Sequence, residues 1–180
     1  WMDAHFYCWL FVFTVLFATL LLTGCGFHLR GTAQLPPQLH TMYLQNSQSQ
    51  YTPFMRKLYL TLKMSGVKLV DNPTQAPITL DILSETFSTH ETSIGGAQTA
   101  RNYIASYTVS YQLLDAKGKI IYESKNINVQ KNIPLSANEV LTNSNKLNQA
   151  KTSLYEELVT QMTFQLTSDD IMKALHATKA

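Results

Sequence analysis

The chain has 180 residues, and its 14 Lys and Arg side chains against 12 Asp and Glu leave a formal net charge of +2. That length is typical of a single domain, and a charge so close to zero argues against a nucleic acid partner, which strongly basic surfaces bind. The mixture of polar and apolar residues around one long apolar run excludes collagenous, coiled-coil and multi-span membrane proteins.

An apolar segment comes first and ends close to a cysteine. Residues 6–22 are almost wholly apolar, and Thr23, Gly24 and Cys25 follow them. A spanning helix needs about 20 apolar residues, whereas a secretory signal has a shorter apolar centre followed by small residues at its cleavage site. The four residues LTGC, ending at Cys25, resemble the bacterial lipobox. This resemblance implies cleavage before Cys25 and acylation of its thiol and new amino group. The alternative is an uncleaved membrane anchor with an incidental cysteine.

Removal of residues 1–24 as a signal peptide would leave a chain without a free thiol. The second cysteine, Cys8, lies in the removed segment, so the fold cannot depend on a disulfide. Gly26 follows the lipidated position, where Asp tends to retain bacterial lipoproteins in the inner membrane, and it therefore favours the outer membrane. Residues 25–40 are predicted to form a lipidated N-terminus and tether, which two adjacent prolines keep extended.

The folded part is expected to begin with a short strand and an amphipathic helix. Residues 41–44 are the strand candidate. Thr52 is placed as an N-cap and Pro53 as the first helical residue, and apolar residues then recur at helical spacing until Gly66 ends the helix.

Strand patterns dominate the middle of the chain. They cover residues 67–70, 78–90, 99–115 and 119–129. A change of phase near Ile82 predicts a β-bulge in the second of these, and a tight turn at residues 115–118 joins the last two. The long strand at 99–115 alternates apolar and polar residues most clearly, so one of its faces should be buried.

Helical spacing returns after a predicted capping box, Ser136 with Glu139, and continues to Leu166. Asn143 to Asn145 are poor helix formers, so the pattern leaves open whether one helix or two covers this stretch. Residues 169–180 are predicted to be a C-terminal tail, and residues 41–168 a single domain. The order of elements predicts an α+β fold, a two-layer sandwich with two main helices on one face of an about four-stranded, largely antiparallel sheet.

Neutral hydrogen-bonding side chains dominate the chain from Cys25 onward. Ser, Thr, Asn and Gln account for 52 of these 156 residues, and charged residues for only 25. A freely diffusing protein normally keeps more surface charge, whereas a protein enclosed by a polar partner avoids the cost of burying it. The alternative is a compositional habit of the source organism.

Signatures of catalysis are missing from the sequence. It holds no nucleophile elbow, no phosphate-binding loop and no group of residues at metal-ligand spacing. We therefore expect no enzymatic activity, no cofactor and no metal.

Sparse cations are the candidate ligand-binding groups. Those that could meet the phosphates of an anionic glycolipid are Arg101, Lys125, Lys131 and Lys146. Taken singly, each also fits an ordinary surface cation. The two long strands are expected to pair into a ribbon whose neutral tip, near residues 92–98, projects beyond the helices and contacts a partner.

The block around the cysteine resembles the LptE family of lipopolysaccharide-assembly lipoproteins. A lipidated Cys25 followed by residues 26–31, GFHLRG, matches that family's N-terminal mark, and the order of strands and helices covers the remaining chain.

The resemblance implies a non-catalytic role in lipopolysaccharide (LPS) transport. Members of the family plug the lumen of an outer-membrane β-barrel, the LptD-like LPS-assembly protein, help it to assemble, and help insert lipopolysaccharide into the outer leaflet. The implied location is the outer membrane, held by lipid, facing the periplasm and inside the barrel. The alternatives are an unrelated outer-membrane lipoprotein acting as a periplasmic scaffold or binding module, and a lipid-anchored enzyme.

Overall fold

The computed structural model describes residue 9 and residues 35–48, 51–92, 100–136 and 140–177. The chain divides into two compact units, Trp1–Gly31 and Thr32–Ala180. The sheet and the helices packed on it belong to the second unit. Several predicted features lie outside the described residues: the signal peptide, Cys25, the block at 26–31, the capping-box residue Glu139 and most of the ribbon tip.

Within the described residues, the second unit contains five strands and three α-helices. In chain order they are β1 (Thr41–Asn46), α1 (Pro53–Met64), β2 (Lys68–Val70), β3 (Ile78–Glu91), β4 (Ala100–Asp115), β5 (Ile120–Ser136), α2 (Val140–Gln165) and α3 (Asp169–Ala177). No helix within the described residues combines the length and the apolar character needed to cross a bilayer.

The sheet has the order β2-β1-β3-β4-β5 and is mixed. β1 runs parallel to both β2 and β3, while β3, β4 and β5 form an antiparallel meander. The α+β prediction is confirmed, and the strand count is five rather than about four. The five strands correspond to the five strand segments predicted from the sequence, and β2 lies within the predicted 67–70. The α1 crossover returns β2 parallel to β1, because parallel neighbours need such a long connection.

One face of the sheet builds the hydrophobic core with the helices. The predicted alternation of β4 is confirmed, because Ala105, Tyr107, Val109, Tyr111 and Leu113 are all buried. The helices contribute their apolar stripes to the same cluster, including Phe54, Leu58 and Leu62 of α1, Leu154, Leu158 and Met162 of α2, and Ile171 and Leu175 of α3.

The local signals of α1 are also confirmed. The Thr52 side chain accepts a hydrogen bond from the Met55 amide at 3.2 Å, and Pro53 is the first helical residue. Gly66 follows the helix with φ of +86°, a left-handed conformation in which glycine escapes the steric cost of a side chain.

The bulge and the hairpin lie where the sequence predicts them. The pairing of β3 with β4 shifts register between Ile82 and Ser84, which turns Glu85 and Phe87 towards the helices. The turn after β4 has Gly118 at φ +79°, and the Asp115 carboxylate accepts hydrogen bonds from two turn amides at 2.8 Å.

β5 differs from its prediction in length. It continues beyond residue 129 to Ser136 and includes Pro134, which pairs with Asn102. Proline is tolerated because β5 is an edge strand, where an outward-facing backbone needs no ladder hydrogen bond.

The two C-terminal helices also differ from expectation. α2 is continuous through Asn143–Asn145, so a single helix of 26 residues covers this stretch. A tail is predicted from residue 169, but α3 lies there instead, because Ile171 and Leu175 on one face of the helix reach the core.

Candidate functional site

The face of the sheet opposite the core carries a regular array of uncharged polar side chains. The register aligns three rows across β3, β4 and β5. We call these nine residues the neutral polar grid: Ser84, Ser110 and Asn126; Thr86, Thr108 and Asn128; and Ser88, Ser106 and Gln130. Every member is a hydroxyl or an amide, so the grid presents both donors and acceptors without formal charge.

Strand alternation creates the grid. Each grid residue is next in sequence to a side chain that faces the core, such as Val109 beside Ser110 or Val129 beside Gln130. The bulge shifts the alternation of β3 by one residue. Ser84 and Thr86 therefore lie on the same face of the sheet as their partners in β4, Ser110 and Thr108.

Hydrogen bonds order the centre of the grid. The Asn128 amide donates to the Ser106 hydroxyl at 2.8 Å and to the Thr108 hydroxyl at 2.6 Å. At the margin, Asp81 is buried and accepts from Ser47 at 2.8 Å and from Gln112 at 3.0 Å. This carboxylate is therefore satisfied within the fold, and the grid beyond it stays neutral.

The opposite side of the sheet carries the predicted cations. Lys131 of β5 donates to the Ser153 hydroxyl of α2 at 3.3 Å, and Lys146 of α2 donates to the Pro134 carbonyl of β5 at 3.3 Å. Both ammonium groups therefore lie along one boundary between α2 and β5, which we call the α2–β5 seam. Within the described part of the chain neither of them pairs with a carboxylate.

The other two predicted cations are placed differently. Arg101 forms an ion pair with Glu91 at 3.3 Å, and Tyr103 donates to the same carboxylate. Lys125 lies six residues before Lys131 on β5, about 20 Å away at strand spacing. The structure thus places Lys131 and Lys146 along the same seam, pairs Arg101 with Glu91 and leaves Lys125 apart.

A carboxylate on the core side links three elements. Glu85 accepts hydrogen bonds from the Tyr107 hydroxyl and from the Thr52 hydroxyl, the latter at 2.7 Å. Burial raises the pKa of the Tyr107 hydroxyl above its ordinary value, and the Glu85 hydrogen bond and charge raise it further. Burial also raises the pKa of Tyr111, with a smaller contribution from Tyr122.

The described residues offer little to a metal. No three of their His, Cys, Asp or Glu side chains group closely enough to hold an ion. They instead present a neutral polar face on one side of the sheet and, at the α2–β5 seam on the other, two ammonium groups without a carboxylate partner in the described ranges.

The sequence indicates that polar residues alternate along β4, but it does not indicate that they form rows with those of β3 and β5. The polar alternation of β4 predicts one column of the grid, but the rows require the register of β3 and β5, which no local pattern supplies. The prediction that β5 ends at residue 129 also concealed that Lys131 belongs to a strand.

Solved bacterial lipoproteins share this fold. Lipoprotein B of Nitrosomonas europaea superimposes with a TM-score of 0.66 at 18% identity, covering 79% of this chain and 91% of that one. A minor lipoprotein of Acinetobacter baumannii gives a TM-score of 0.58, also at 18% identity, over 72% of this chain and 91% of its own. At these identities the likeness shows the shared fold.

Sequence relatives carry the comparison further. The LPS-assembly lipoprotein LptE of Pectobacterium atrosepticum is 38% identical over 114 residues, 63% of this chain and 61% of the relative. The match therefore spans about three fifths of that relative's length. The sequence model of the family LptE, described as lipopolysaccharide-assembly, matches residues 39–166. The matched residues make up more than half of this chain, and the chain therefore belongs to the LptE family.

Proposed function

We propose that this protein is an outer-membrane lipoprotein that assists lipopolysaccharide assembly without catalysing a reaction. In this proposal it lies as a plug inside the lumen of an LptD-like outer-membrane β-barrel, helps that barrel to assemble, and helps lipopolysaccharide to enter the outer leaflet. Membership of the family supports the role in lipopolysaccharide assembly, as do the names of its relatives.

The neutral polar grid is the observation that carries the plug proposal. The lumen of an outer-membrane barrel is polar, so its wall can exchange hydrogen bonds with hydroxyl and amide groups. A charge without a partner is far more costly to enclose than a hydroxyl that finds one. A face with three rows of neutral side chains therefore suits an enclosed polar surface.

The α2–β5 seam is our proposed contact for lipopolysaccharide phosphates. Lys131 and Lys146 hold neutral oxygen partners that a phosphate can replace, and phosphate binds an ammonium group more strongly than a neutral oxygen does. Arg101 is paired with Glu91, and Lys125 lies about 20 Å from Lys131 along β5, so neither is part of this proposed contact.

Attachment to the membrane is assigned to Cys25. Residues 1–24 would be removed, residues 25–40 would form the lipidated tether, and residues 41–168 would form the plug, followed by residues 169–180. More than one acyl chain on Cys25 would give stable anchoring. Intact mass of protein extracted from native membranes tests this, and a chain that retains residues before Cys25 and lacks acyl mass would refute the anchor.

The experiment for the plug introduces a charge into the grid. Thr86 is exposed in the middle row, so Thr86→Lys should change stability by no more than about 0.5 kcal/mol. The variant should nevertheless recover several-fold less barrel when extracted from native membranes in mild detergent, as counted by mass spectrometry.

A matched control comes from the helix layer. Thr152 is an exposed residue of α2, and Thr152→Lys adds the same charge away from the grid. Equal recovery of the barrel by both variants would refute the plug and favour a periplasmic scaffold.

A further inference from the structure

A cleft of about 340 Å³ lies at the carboxyl ends of the parallel strands β1 and β2, with α1 forming one wall. Open sheets with parallel strands and crossover helices often bind ligands at this end. The cleft is separate from both the neutral polar grid and the α2–β5 seam, so a ligand bound there would be independent of the proposed function.

Aromatic rings and one carboxylate determine the chemistry of the cleft. Tyr43, Tyr51 and Tyr59 line it together with Asp71, above apolar side chains that include Met55 and Leu69. Neither Lys nor Arg is among the lining residues. The negative charge and the electron-rich rings together favour a cationic group and disfavour a phosphate.

Two of these side chains have unused binding capacity. Tyr51 is 76% exposed, and its ring stacks on none of the described aromatic residues. Asp71 is exposed and forms neither an ion pair nor a side-chain hydrogen bond with any residue in the described ranges. A ring at the rim and a carboxylate beside it leave room for a ligand to contact both.

A neighbouring contact shows the same chemistry within the chain. The Lys63 ammonium lies 5.9 Å from the centroid of the Tyr59 ring, within the range of a cation–π interaction. A tyrosine of the cleft wall is thus accessible to a cation, and with Lys63 beside Tyr59, the rings left for a ligand are Tyr43 and Tyr51.

We propose that this cleft binds an arginine side chain presented by an extended segment of a partner polypeptide. A guanidinium group stacks on aromatic rings and pairs with carboxylates, and its aliphatic stem can lie on Met55 and Leu69. The strand beside the cleft, β2, is the edge of the sheet, so an extended backbone can approach it.

The test uses two probes that differ in charge. N-acetyl-arginine amide and its neutral isostere N-acetyl-citrulline amide are titrated against the full chain in detergent micelles, with ligand-observed NMR and empty micelles as the blank. Stacking and ion pairing of an exposed cation predict that the arginine probe binds about tenfold more tightly than the citrulline probe.

Variants then place the binding in the cleft. Tyr51→Leu and Asp71→Asn should each weaken the arginine probe about threefold. Neither side chain supports the core, and circular dichroism verifies the fold. Glu123→Gln removes one exposed carboxylate from β5 and should leave the affinity unchanged.

The proposal is overturned if citrulline binds as tightly as arginine, which would make the cleft a neutral site for groups such as sugars. It is also overturned if both cleft variants bind the arginine probe like the Glu123→Gln control.

Discussion

At the residue scale, Glu85 shows how one side chain can fix the relation of a helix to the sheet. The bulge after Ile82 turns Glu85 towards the core side, where it meets the hydroxyls of Thr52 and Tyr107. Thr52 also caps α1, so a single carboxylate connects β3, β4 and the start of the helix. A hydrogen bond to a carboxylate in partly buried surroundings stabilises the fold more than a hydrogen bond between neutral groups does.

This arrangement predicts a ranking of two tyrosine variants. Tyr107→Phe removes a hydrogen bond to a carboxylate and should lower the free energy of unfolding by about 1.5–3 kcal/mol. Tyr111→Phe removes a hydrogen bond to the neutral Gln165 amide, made at 2.7 Å, and should cost about 0.5–1.5 kcal/mol. Urea denaturation of the full chain in one detergent measures both, and the reverse order would contradict the role given to Glu85.

The same tyrosines predict how stability depends on alkaline pH. Burial holds the pKa of both hydroxyls above the ordinary value of 10.0, so the folded state retains protons that the unfolded state loses. Stability is therefore unaffected by these groups below pH 10 and falls as pH rises above it, by about 1.4 kcal/mol per pH unit for each tyrosine. Replacing both with Phe should flatten the decline, and an unchanged slope would show that other groups cause it.

At the element scale, α3 is a helix that packs on the core, although its sequence predicts a C-terminal tail. Nine residues would be marginal as an isolated helix. Ser168 accepts a hydrogen bond from the Ile171 amide at 3.5 Å, and two acidic residues lie in the first turn, where the helix dipole favours them. Ile171 and Leu175, one turn apart, then supply the burial that stabilises it.

We predict from this packing that Leu175→Ala lowers the free energy of unfolding by about 2–4 kcal/mol, because it leaves a cavity in the core. The exposed neighbour Lys173, changed to Ala, should alter it by no more than about 0.5 kcal/mol. Denaturant titration measures both variants. If Leu175→Ala proves as mild as the control, α3 does not contribute to the cooperative fold.

Local signals account for which elements could be predicted. Thr52, Pro53 and Gly66 determine the ends of α1 through backbone chemistry that needs no distant partner, and the alternation of β4 follows from having one buried face. The continuity of α2 could not be predicted in this way. Asn143 and its neighbours lower helix propensity by a few tenths of a kcal/mol each, and packing of the long helix on the sheet outweighs this.

The candidate site was predictable only in part, for the same reason. Side-chain type identified the cations and the neutral polar character of the surface, which depend on composition. Which cations lie along the same surface depends on the pairing of β5 and on the contact of α2 with it, both of which join residues distant in sequence. The cleft between α1 and β2 likewise forms only when the crossover brings Tyr59 and Asp71 together.

At the scale of the whole molecule, the two sides of the sheet have different chemistry. The neutral polar grid lies on one side, and the helices with the α2–β5 seam lie on the other. A plug that met the barrel wall with the grid would leave its ammonium groups directed away from that contact. One chain could then hold a barrel and a phosphate-bearing lipid at the same time.

This separation predicts that lipid binding and barrel binding can be lost independently. Changing Lys131 and Lys146 together to Met removes both seam charges and keeps aliphatic side chains of similar length. The double variant should bind lipopolysaccharide micelles several-fold more weakly at low salt, and with a shallower dependence on salt, because fewer ion pairs form with phosphate. Its recovery of barrel from native membranes should match that of the unchanged protein.

The matched control removes the same charge from the first half of β5 and the turn before it. Lys125 and the nearby Lys119, changed together to Met, lie about 20 Å or more from Lys131 along the strand and its turn. If attraction depended only on net charge, both double variants would lose affinity equally, since each lowers the charge by two. A localised phosphate contact therefore requires a larger loss of affinity when Lys131 and Lys146 are changed. Equal losses of affinity would show that the seam acts only through net charge.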